Sequence, residues 1–186
     1  MRLVLPAPAK LNLFLHVTGR RADGYHLLES VFVPISLADT VALSRRDDGV
    51  VALVDAPHGL TTENDLACRA ARALQAATDC RFGVDIRLHK RIPQGGGLGG
   101  GSSDAAAALR ALSVTWKLRL DEQALQAIGR ALGADVGFFL TGGTALGVER
   151  GDLLFPLADA PGAWVVLARP DYGVSTKDAY GWWDEA

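Results

Sequence analysis

A glycine-rich segment constrains this chain more than any other feature of its sequence. Six glycines fall within the seven residues from Gly95 to Gly101, between Pro93 and Ser102, and an alanine run begins at Ala105. Glycine allows backbone conformations that a Cβ forbids, so successive N–H groups in such a segment can converge on one anion. The alanines predict a helix, whose N-terminal dipole attracts the same anion. The pattern therefore predicts a phosphate-binding loop at the start of a helix.

The flanking sequence separates this loop from other glycine-rich segments. A flexible linker is one alternative, but an alternating strand at residues 84–88 precedes the glycines and a strong helix follows them. A Walker A loop requires a lysine after its last glycine, whereas here the glycines run directly into Ser102 and Ser103. In a dinucleotide-binding fold Asp121 would stand near the position of the ribose-binding acid, yet it is expected to cap a helix over residues 122–132.

Composition excludes several classes of protein. The 186 residues are 49% hydrophobic with a net charge of −2, which permits a substantial core and argues against a basic nucleic-acid-binding surface. No apolar run approaches membrane-spanning length, and the first residues do not resemble a signal peptide. Cys68 and Cys80 lack metal-ligand spacing and are expected to be free thiols in a reducing compartment. We therefore expect a cytoplasmic protein with no nucleic-acid partner and no membrane partner.

The predicted elements begin with strands and continue with helices. Alternation from Lys10 to Val17 indicates a strand that places Lys10 and Asn12 on one face, about 6.5 Å apart. Further apolar runs resemble an antiparallel meander; they lie at residues 27–35, 40–44 and 50–54. Helices are expected at residues 64–77, from the glycines to about residue 114, and at 122–132, where Gly133 would stand at C′. Residues 164–168 are expected to form a buried strand.

Asp135 is a single carboxylate among small and apolar neighbours, in the segment Gly133-Ala134-Asp135-Val136. One interpretation is a helix cap for the short segment that follows. The other is a general base or an electrostatic anchor that a nearby cation keeps ionised, and Lys10 is a candidate for that cation.

Four segments together resemble the 4-diphosphocytidyl-2-C-methyl-D-erythritol kinase family, which lies within the superfamily of galactokinase, homoserine kinase, mevalonate kinase and phosphomevalonate kinase. These segments are Pro8-Ala9-Lys10-Leu11-Asn12-Leu13, Arg21-Ala22-Asp23-Gly24-Tyr25-His26, the glycine loop with Ala105-Ala106, and Gly133-Ala134-Asp135-Val136. The glycine loop alone would indicate only the superfamily, and the first two segments make the resemblance specific. It extends from Pro8 to about Tyr180.

The resemblance implies an activity and a pair of catalytic residues. The activity is ATP-dependent phosphorylation of the 2-hydroxyl of a cytidine-diphosphate-linked methylerythritol, in the non-mevalonate route to isoprenoid precursors. Asp135 would orient or deprotonate the acceptor hydroxyl, Lys10 would stabilise that carboxylate and the transferred phosphate, and Asn12 would help to hold the polyol. Mg²⁺ is expected to accompany ATP, with its protein ligands left unassigned.

The remaining implied contacts divide into a cytosine group and an ATP group. Tyr25 would stack on the cytosine and His26 would hydrogen-bond its edge, while Thr176 and Tyr180 belong to a second substrate-binding segment. A structural histidine and a core aromatic are the alternatives for His26 and Tyr180. Lys90 would either reach the nucleotide or only extend into solvent at the end of a strand. The ATP-binding residues implied are Lys90, Pro93, Gly95, Gly96, Gly97, Leu98, Gly99, Gly100, Gly101, Ser102 and Ser103.

The resemblance also implies a fold and a domain division. The fold is a two-layer α+β arrangement of the ribosomal protein S5 domain 2-like type, a mainly antiparallel sheet backed by helices with a left-handed βαβ crossover. Residues 1–157 would form the ATP-binding and catalytic N-terminal domain, and residues 158–186 would begin a C-terminal domain that is truncated relative to the family. The truncation would leave an apolar surface uncovered. The chain would then associate through that surface or have a low turnover. A catalytically silent nucleotide-binding fragment and a small-alcohol kinase of the same superfamily remain as alternatives.

Overall fold

A mixed sheet of six strands is the centre of the described fold. The computed structural model describes residues 2–159, 161–168, 173 and 175–185, without the side chains of Thr176 and Lys177. The strands are β1 (Arg2–Arg20), β2 (His26–Arg46), β3 (Val51–Leu53), β4 (Gly83–His89), β5 (Ala145–Val148) and β6 (Leu153–Pro156). Their order is β3-β4-β2-β5-β6, and β1 pairs with β2 along its length.

The long strand β2 organises this sheet. It pairs antiparallel with β1, β4 and β5, so the predicted strands at residues 27–35 and 40–44 are two parts of one strand. The predicted meander is wrong at β3, which pairs parallel with β4 instead of antiparallel with β2. A parallel pair needs a crossover connection, and a helix between β3 and β4 provides it.

Five helices complete the described part of the chain: α1 (Leu66–Thr78), α2 (Gly100–Thr115), α3 (Glu122–Leu132), α4 (Val136–Thr141) and α5 (Thr176–Glu185). The capping residues explain where two of them begin. The Asp65 carboxylate accepts the N–H of Cys68 at 2.9 Å, and Asp121 accepts that of Ala124 at 2.8 Å, as predicted for α3. Helix α3 ends at Leu132 and Gly133 follows it, as predicted, with an extended φ of 175°.

The core lies between the sheet and helices α1 and α2. The alanines of α2 that face the core are almost fully buried, and they are Ala105, Ala106, Ala108 and Ala111. Such small side chains let α2 approach α1 closely, while larger residues from both layers fill the remaining space. Leu109 and Leu112 are completely buried, in one core cluster with the sheet residues Val41 and Leu43. Burial of each such leucine stabilises the fold by about 1.5–3 kcal/mol, which fixes the position of the helix that begins at the glycine loop.

The prediction of a buried strand at residues 164–168 is wrong. This segment has no regular secondary structure in the described chain, and Trp164 and Val166 are almost fully exposed. Within that part of the chain no strand pairs with the segment, so its apolar residues have nothing to pack against. Leu13 and Leu15 of β1 are also largely exposed, and apolar surface is therefore uncovered.

Candidate active site

The glycine loop connects β4 to α2 and has the backbone geometry of an anion cradle. Gly95, Gly97 and Gly99 have φ values of +71°, +70° and +72°, whereas the residues between them are not in the positive-φ region. This alternation turns successive N–H groups toward one side, as in the backbone nests that bind anions. The first N–H groups of α2 have no partner within the helix and are available to the same anion.

Gly99 is also the point where the loop approaches the sheet most closely. A Cβ at this position would lie 2.9 Å from the ring of Phe139 and 3.1 Å from Cγ of Lys10. The N–H of Lys10 donates a hydrogen bond to the carbonyl of Leu98 at 3.0 Å. The loop is therefore fixed to β1 beside the residue that the sequence predicted to be catalytic.

Lys10 and Asp135 meet at the end of this loop. The Lys10 ammonium is 3.4 Å from Oδ2 of Asp135, and only 5% of the lysine is exposed. It donates to Oδ1 of Asn12 at 2.8 Å and lies 4.7 Å from the centre of the Phe32 ring. The predicted placement of Lys10 and Asn12 on one strand face is thus confirmed, and the ammonium is held on three sides.

Irregular strand pairing gives Lys10 this orientation. The register between β1 and β2 shifts between Pro8 and Lys10 and again between Asn12 and Phe14. Such bulges bend a strand and redirect its side chains, and they are common beside functional sites. Asn12 is fixed in turn, because its Nδ2 donates to Oγ of Ser30 at 2.6 Å.

Asp135 stands at the N-cap position of α4 without acting as a side-chain cap. Its carboxylate accepts no capping hydrogen bond and pairs with Lys10 instead. Because about a third of this side chain is exposed, one part of the carboxylate remains accessible to a bound hydroxyl group. The preceding Gly133 brings the turn beside the glycine loop, since a Cβ there would lie 3.9 Å from Oγ of Ser102.

A cleft of about 990 Å³ extends from this ion pair to the far end of the β1–β2 hairpin. Lys10, Asn12 and Asp135 line one end of it, together with Gly97 and Ser102 of the loop. The other end is lined by Tyr25, His26, Tyr180 and Asp184. The cleft therefore joins the ion pair to the aromatic residues at the end of the hairpin.

Aromatic and charged side chains form the distal end of the cleft. The rings of His26 and Tyr180 stack with centroids 4.6 Å apart and planes inclined by 12°. Nε2 of His26 lies 2.7 Å from Oδ1 of Asp184, and Arg20 contacts the other oxygen of that carboxylate at 3.0 Å. The hydrogen bond to His26 lowers the pKa of Asp184. Burial raises the pKa of Tyr180, and the charge of Asp135 adds to that rise.

A second, smaller cavity of about 250 Å³ lies on the other side of the glycine loop. Residues 93–101 line it together with Lys90 and the start of α1, including Asn64 and Asp65. Gly97 lines both cavities. The loop therefore separates two compartments, one of which ends at the Lys10–Asp135 pair.

Comparison with known proteins agrees with this geometry. Residues 65–143 match the family model described as the GHMP kinases N terminal domain. This part of the chain is therefore similar to the N-terminal domain of GHMP kinases. The matched range contains the glycine loop, α2 and the turn with Asp135, which are the parts of the site contributed by the middle of the chain.

Two relatives that match nearly all of this chain share one name. A 4-diphosphocytidyl-2-C-methyl-D-erythritol kinase from Thiobacillus denitrificans is 54% identical over 95% of this chain and 63% of its own length. The protein of that name from Cupriavidus necator is 53% identical over 94% of this chain and 60% of its own length. The chain thus spans about three fifths of the length of these curated relatives.

A solved structure is similar to most of this chain. It is the crystal structure of a 4-(cytidine 5'-diphospho)-2C-methyl-D-erythritol kinase, with a TM-score of 0.74 and 46% sequence identity, covering 84% of this chain and 55% of that protein. The α+β fold implied by the sequence resemblance is thereby confirmed, with a mixed, mainly antiparallel sheet backed by helices.

Not every residue predicted for the site lies in a cavity wall. Ser102 faces the large cleft, but Ser103 is buried and lines neither cavity. Lys90 does not solvate a strand end, because its ammonium is held by the two carboxylates of Asp39 and Asp104. Thr176 begins α5, and its side chain lies outside what the structure describes.

Sequence reasoning missed Asp39 and Asp184 and gave Asp104 no role in the site. Asp39 is completely buried in β2, and its only signal is a charge between Ala38 and Thr40 in a strand-forming run. Asp184 has no local signal, since its partners Arg20 and His26 are distant in the chain. Only the folded chain brings these groups to the site.

The described side chains do not form a metal-binding site. Among the described residues no group of three or more His, Cys, Asp or Glu side chains is arranged to hold a metal ion. We therefore assign no protein ligand to Mg²⁺.

No helix in the described ranges is long and apolar enough to span a lipid bilayer.

Proposed function

We propose that this chain provides the nucleotide-binding and catalytic part of a kinase that transfers the terminal phosphate of ATP to 4-diphosphocytidyl-2-C-methyl-D-erythritol. The proposal rests above all on one cleft, which is lined both by the Lys10–Asp135 pair and by residues of the glycine loop. The name shared by the relatives supports the choice of acceptor. A place in the synthesis of isoprenoid precursors follows from that acceptor.

The glycine loop would hold the triphosphate through its backbone N–H groups and the N-terminus of α2. Phosphoryl transfer requires little covalent work from the protein, so positioning and charge stabilisation provide most of the acceleration. The adenosine end would lie in the smaller cavity beside Lys90, and the terminal phosphate would point past Gly97 toward Lys10. Bound Mg²⁺ would neutralise phosphate charge during transfer.

Asp135 would accept a hydrogen bond from the acceptor hydroxyl and align it with the terminal phosphorus. The ammonium of Lys10, 3.4 Å away, pairs with that carboxylate and would also stabilise charge on the transferred phosphate. Asn12 directs Lys10 through its 2.8 Å hydrogen bond and would contact the polyol with its remaining polar capacity.

The distal end of the cleft suits a pyrimidine base. Tyr25 is exposed there and offers a ring face for stacking, and His26 offers a ring nitrogen for a hydrogen bond to the base edge. Tyr180, stacked on His26, and Thr176 belong to the same proposed subsite. A small alcohol such as homoserine would leave this end of the cleft unused.

Two further parts of the proposal concern the whole protein. Residues 1–157 would form the nucleotide-binding domain, and residues 158–186 would belong to the next domain. A cytoplasmic location is favoured by Cys68 and Cys80, which are both free thiols. Association through the exposed apolar residues stays a prediction.

Transfer of radioactive phosphate from ATP tests the proposed reaction directly. We expect phosphorylated product with the cytidine-linked acceptor and none with homoserine or mevalonate, and we expect cytidine diphosphate to compete. Lys10→Met and Asp135→Asn should each reduce the rate by about 10²-fold or more. Asp121→Asn, an exposed helix cap outside the cleft, should leave the rate unchanged. ATP binding without transfer to any acceptor would contradict the proposal, and so would equal transfer to the small alcohols.

A further inference from the structure

Three charged side chains form a buried cluster beneath the glycine loop. The Lys90 ammonium donates to Oδ2 of Asp104 at 2.5 Å and to Oδ2 of Asp39. Asp39 is 0% exposed and Asp104 is 1% exposed. The catalytic pair does not include this cluster, and the proposed reaction leaves its two carboxylates without a role.

The cluster is connected to the loop at both ends. Oδ1 of Asp39 accepts the N–H groups of Arg91 at 2.5 Å and Ile92 at 2.8 Å, immediately before the glycines. Asp104 lies in the first turns of α2, immediately after them. A Cβ on Gly100 would be 3.3 Å from Oδ2 of Asp39, so the carboxylate lies directly against the loop backbone. A phosphate in the cradle would therefore lie close to these groups.

The charges in this cluster do not balance when both carboxylates are ionised. One ammonium then faces two carboxylates, and Oδ1 of Asp104 is buried without a hydrogen-bond partner. An unpaired buried charge is costly, and a triphosphate in the adjoining loop would add more negative charge at short range. A proton on one carboxylate would make the cluster neutral.

We infer that nucleotide binding to the glycine loop is coupled to the uptake of a proton by the Asp39–Lys90–Asp104 cluster, with Asp104 as the residue that binds it. This inference rests on the proposed nucleotide site. It makes Asp104 a positioning residue that adjusts the charge beneath the loop, without direct contact with the reacting atoms.

The surroundings of Asp104 favour its neutral form even before nucleotide binds. Burial raises the pKa of Asp104 to about 7, although Lys90 opposes the rise, and the charges of Asp39 and Asp65 add to it. These groups come from β2, from the end of β4 and from the N-terminus of α1. Lys10 of β1 lies on the other side of Gly99, and Arg110, the other charged residue of α2, donates to the carbonyl of Leu140.

Linkage gives the direction of the coupling. An anion bound nearby raises the pKa of Asp104 further, so at a pH slightly above 7 the carboxyl takes up a proton when nucleotide binds. The apparent affinity then falls with rising pH, by up to about tenfold per pH unit for one proton. Asparagine at position 104 would imitate the protonated form and remove this contribution.

Isothermal titration calorimetry measures the proton directly. The full chain is titrated with magnesium-bound AMP-PNP at pH 7.5 and pH 8.0, in buffers of different ionisation enthalpy. The nucleotide has a titrating phosphate of its own, so the decisive quantity is the difference in proton uptake between wild type and Asp104→Asn. We expect wild type to take up more protons, by a large fraction of one per site, and its affinity to fall more steeply between the two pH values.

Two further variants sharpen the test. Asp55→Asn changes an exposed carboxylate that pairs with Arg87, and it should behave as wild type. Asp39→Asn leaves Asp104 and Lys90 as a neutral pair, so it should also lose the extra proton, and it replaces Asp104→Asn if that variant does not fold. Binding with equal proton uptake in wild type and in the folded cluster variant would overturn the inference while leaving the nucleotide site intact. Absence of any nucleotide binding would overturn both.

Discussion

The backbone N–H of Lys10 donates to the carbonyl of Leu98 at 3.0 Å, so the strand that carries the proposed catalytic ammonium is hydrogen-bonded directly to the phosphate loop. The next residue, Gly99, packs directly against Phe139 and Lys10, and a side chain at this position would not fit between them. The backbone therefore fixes the position of Lys10 on β1 relative to the cradle, and Asn12 and Asp135 hold its ammonium.

Gly99→Ala should disrupt this contact more than Gly97→Ala does. Both positions have positive φ, so alanine costs about 1–2 kcal/mol at either one. Only at position 99 does the added Cβ meet other atoms, at 2.9 Å from Phe139, which adds about 1–3 kcal/mol of overpacking. Urea denaturation of the two variants gives the difference in unfolding free energy. Equal values would show that Gly99 is required only for its backbone conformation.

The stability of the chain should depend on pH through Asp104. Its pKa is about 7 in the folded chain, above the ordinary value of 3.8. Between these values the folded form holds a proton that the unfolded form has lost, so this carboxyl lowers the unfolding free energy as pH rises from about 4 to about 7. As the pH rises across that range, the melting temperature of wild type should therefore fall relative to that of Asp104→Asn.

Thermal melts at pH 5, 6, 7 and 8 provide this comparison. Asp121→Asn is the matched control, because it makes the same chemical change at an exposed helix cap where asparagine serves equally well. A constant difference in melting temperature between Asp104→Asn and wild type would contradict the raised pKa.

The position of α5 should depend on Asp184. This carboxylate joins the helix to His26 at 2.7 Å and to Arg20 at 3.0 Å, across the distal end of the cleft. Asp184→Ala should increase amide hydrogen exchange in residues 176–185, whereas Asp55→Ala, an exposed carboxylate outside this helix, should leave it unchanged. Mass spectrometry of the corresponding peptide measures both. Equal exchange in the two variants would show that the ion pairs do not hold the helix.

The same helix should also loosen in acid. The hydrogen bond to His26 lowers the pKa of Asp184, so the carboxylate stabilises the folded form above its ordinary pKa of 3.8 and loses that contribution as pH falls through the lowered value. Exchange in residues 176–185, corrected for the intrinsic pH dependence, should thus rise in wild type below about pH 4. Asp184→Ala should lack this change.

Local patterns were sufficient to predict the elements around the loop. Alternation predicted β4, the alanine run predicted α2, and Asp121 predicted the start of α3, because each depends on residues within a few positions. The spacing of Lys10 and Asn12 likewise predicted their shared face. These features depend on side-chain direction within one element, which sequence period determines directly.

Other features depend on partners that are distant in the chain. The parallel pairing of β3 could not be read from its own residues, because α1 and β4 determine it. The exposed segment at residues 164–168 has the composition of a buried strand but lacks a neighbour in the described chain. Asp39 and Asp184 acquire their roles only through Lys90 and His26, which folding brings to them.

A crystal structure of the chain with magnesium-bound AMP-PNP would show whether the two parts of the site act on one nucleotide. We expect the phosphates on the N–H groups of residues 95–103, the adenosine in the cavity beside Lys90, and the terminal phosphate within about 4 Å of the Lys10 ammonium. A nucleotide bound elsewhere, or one whose terminal phosphate points away from Lys10 and Asp135, would contradict this expectation.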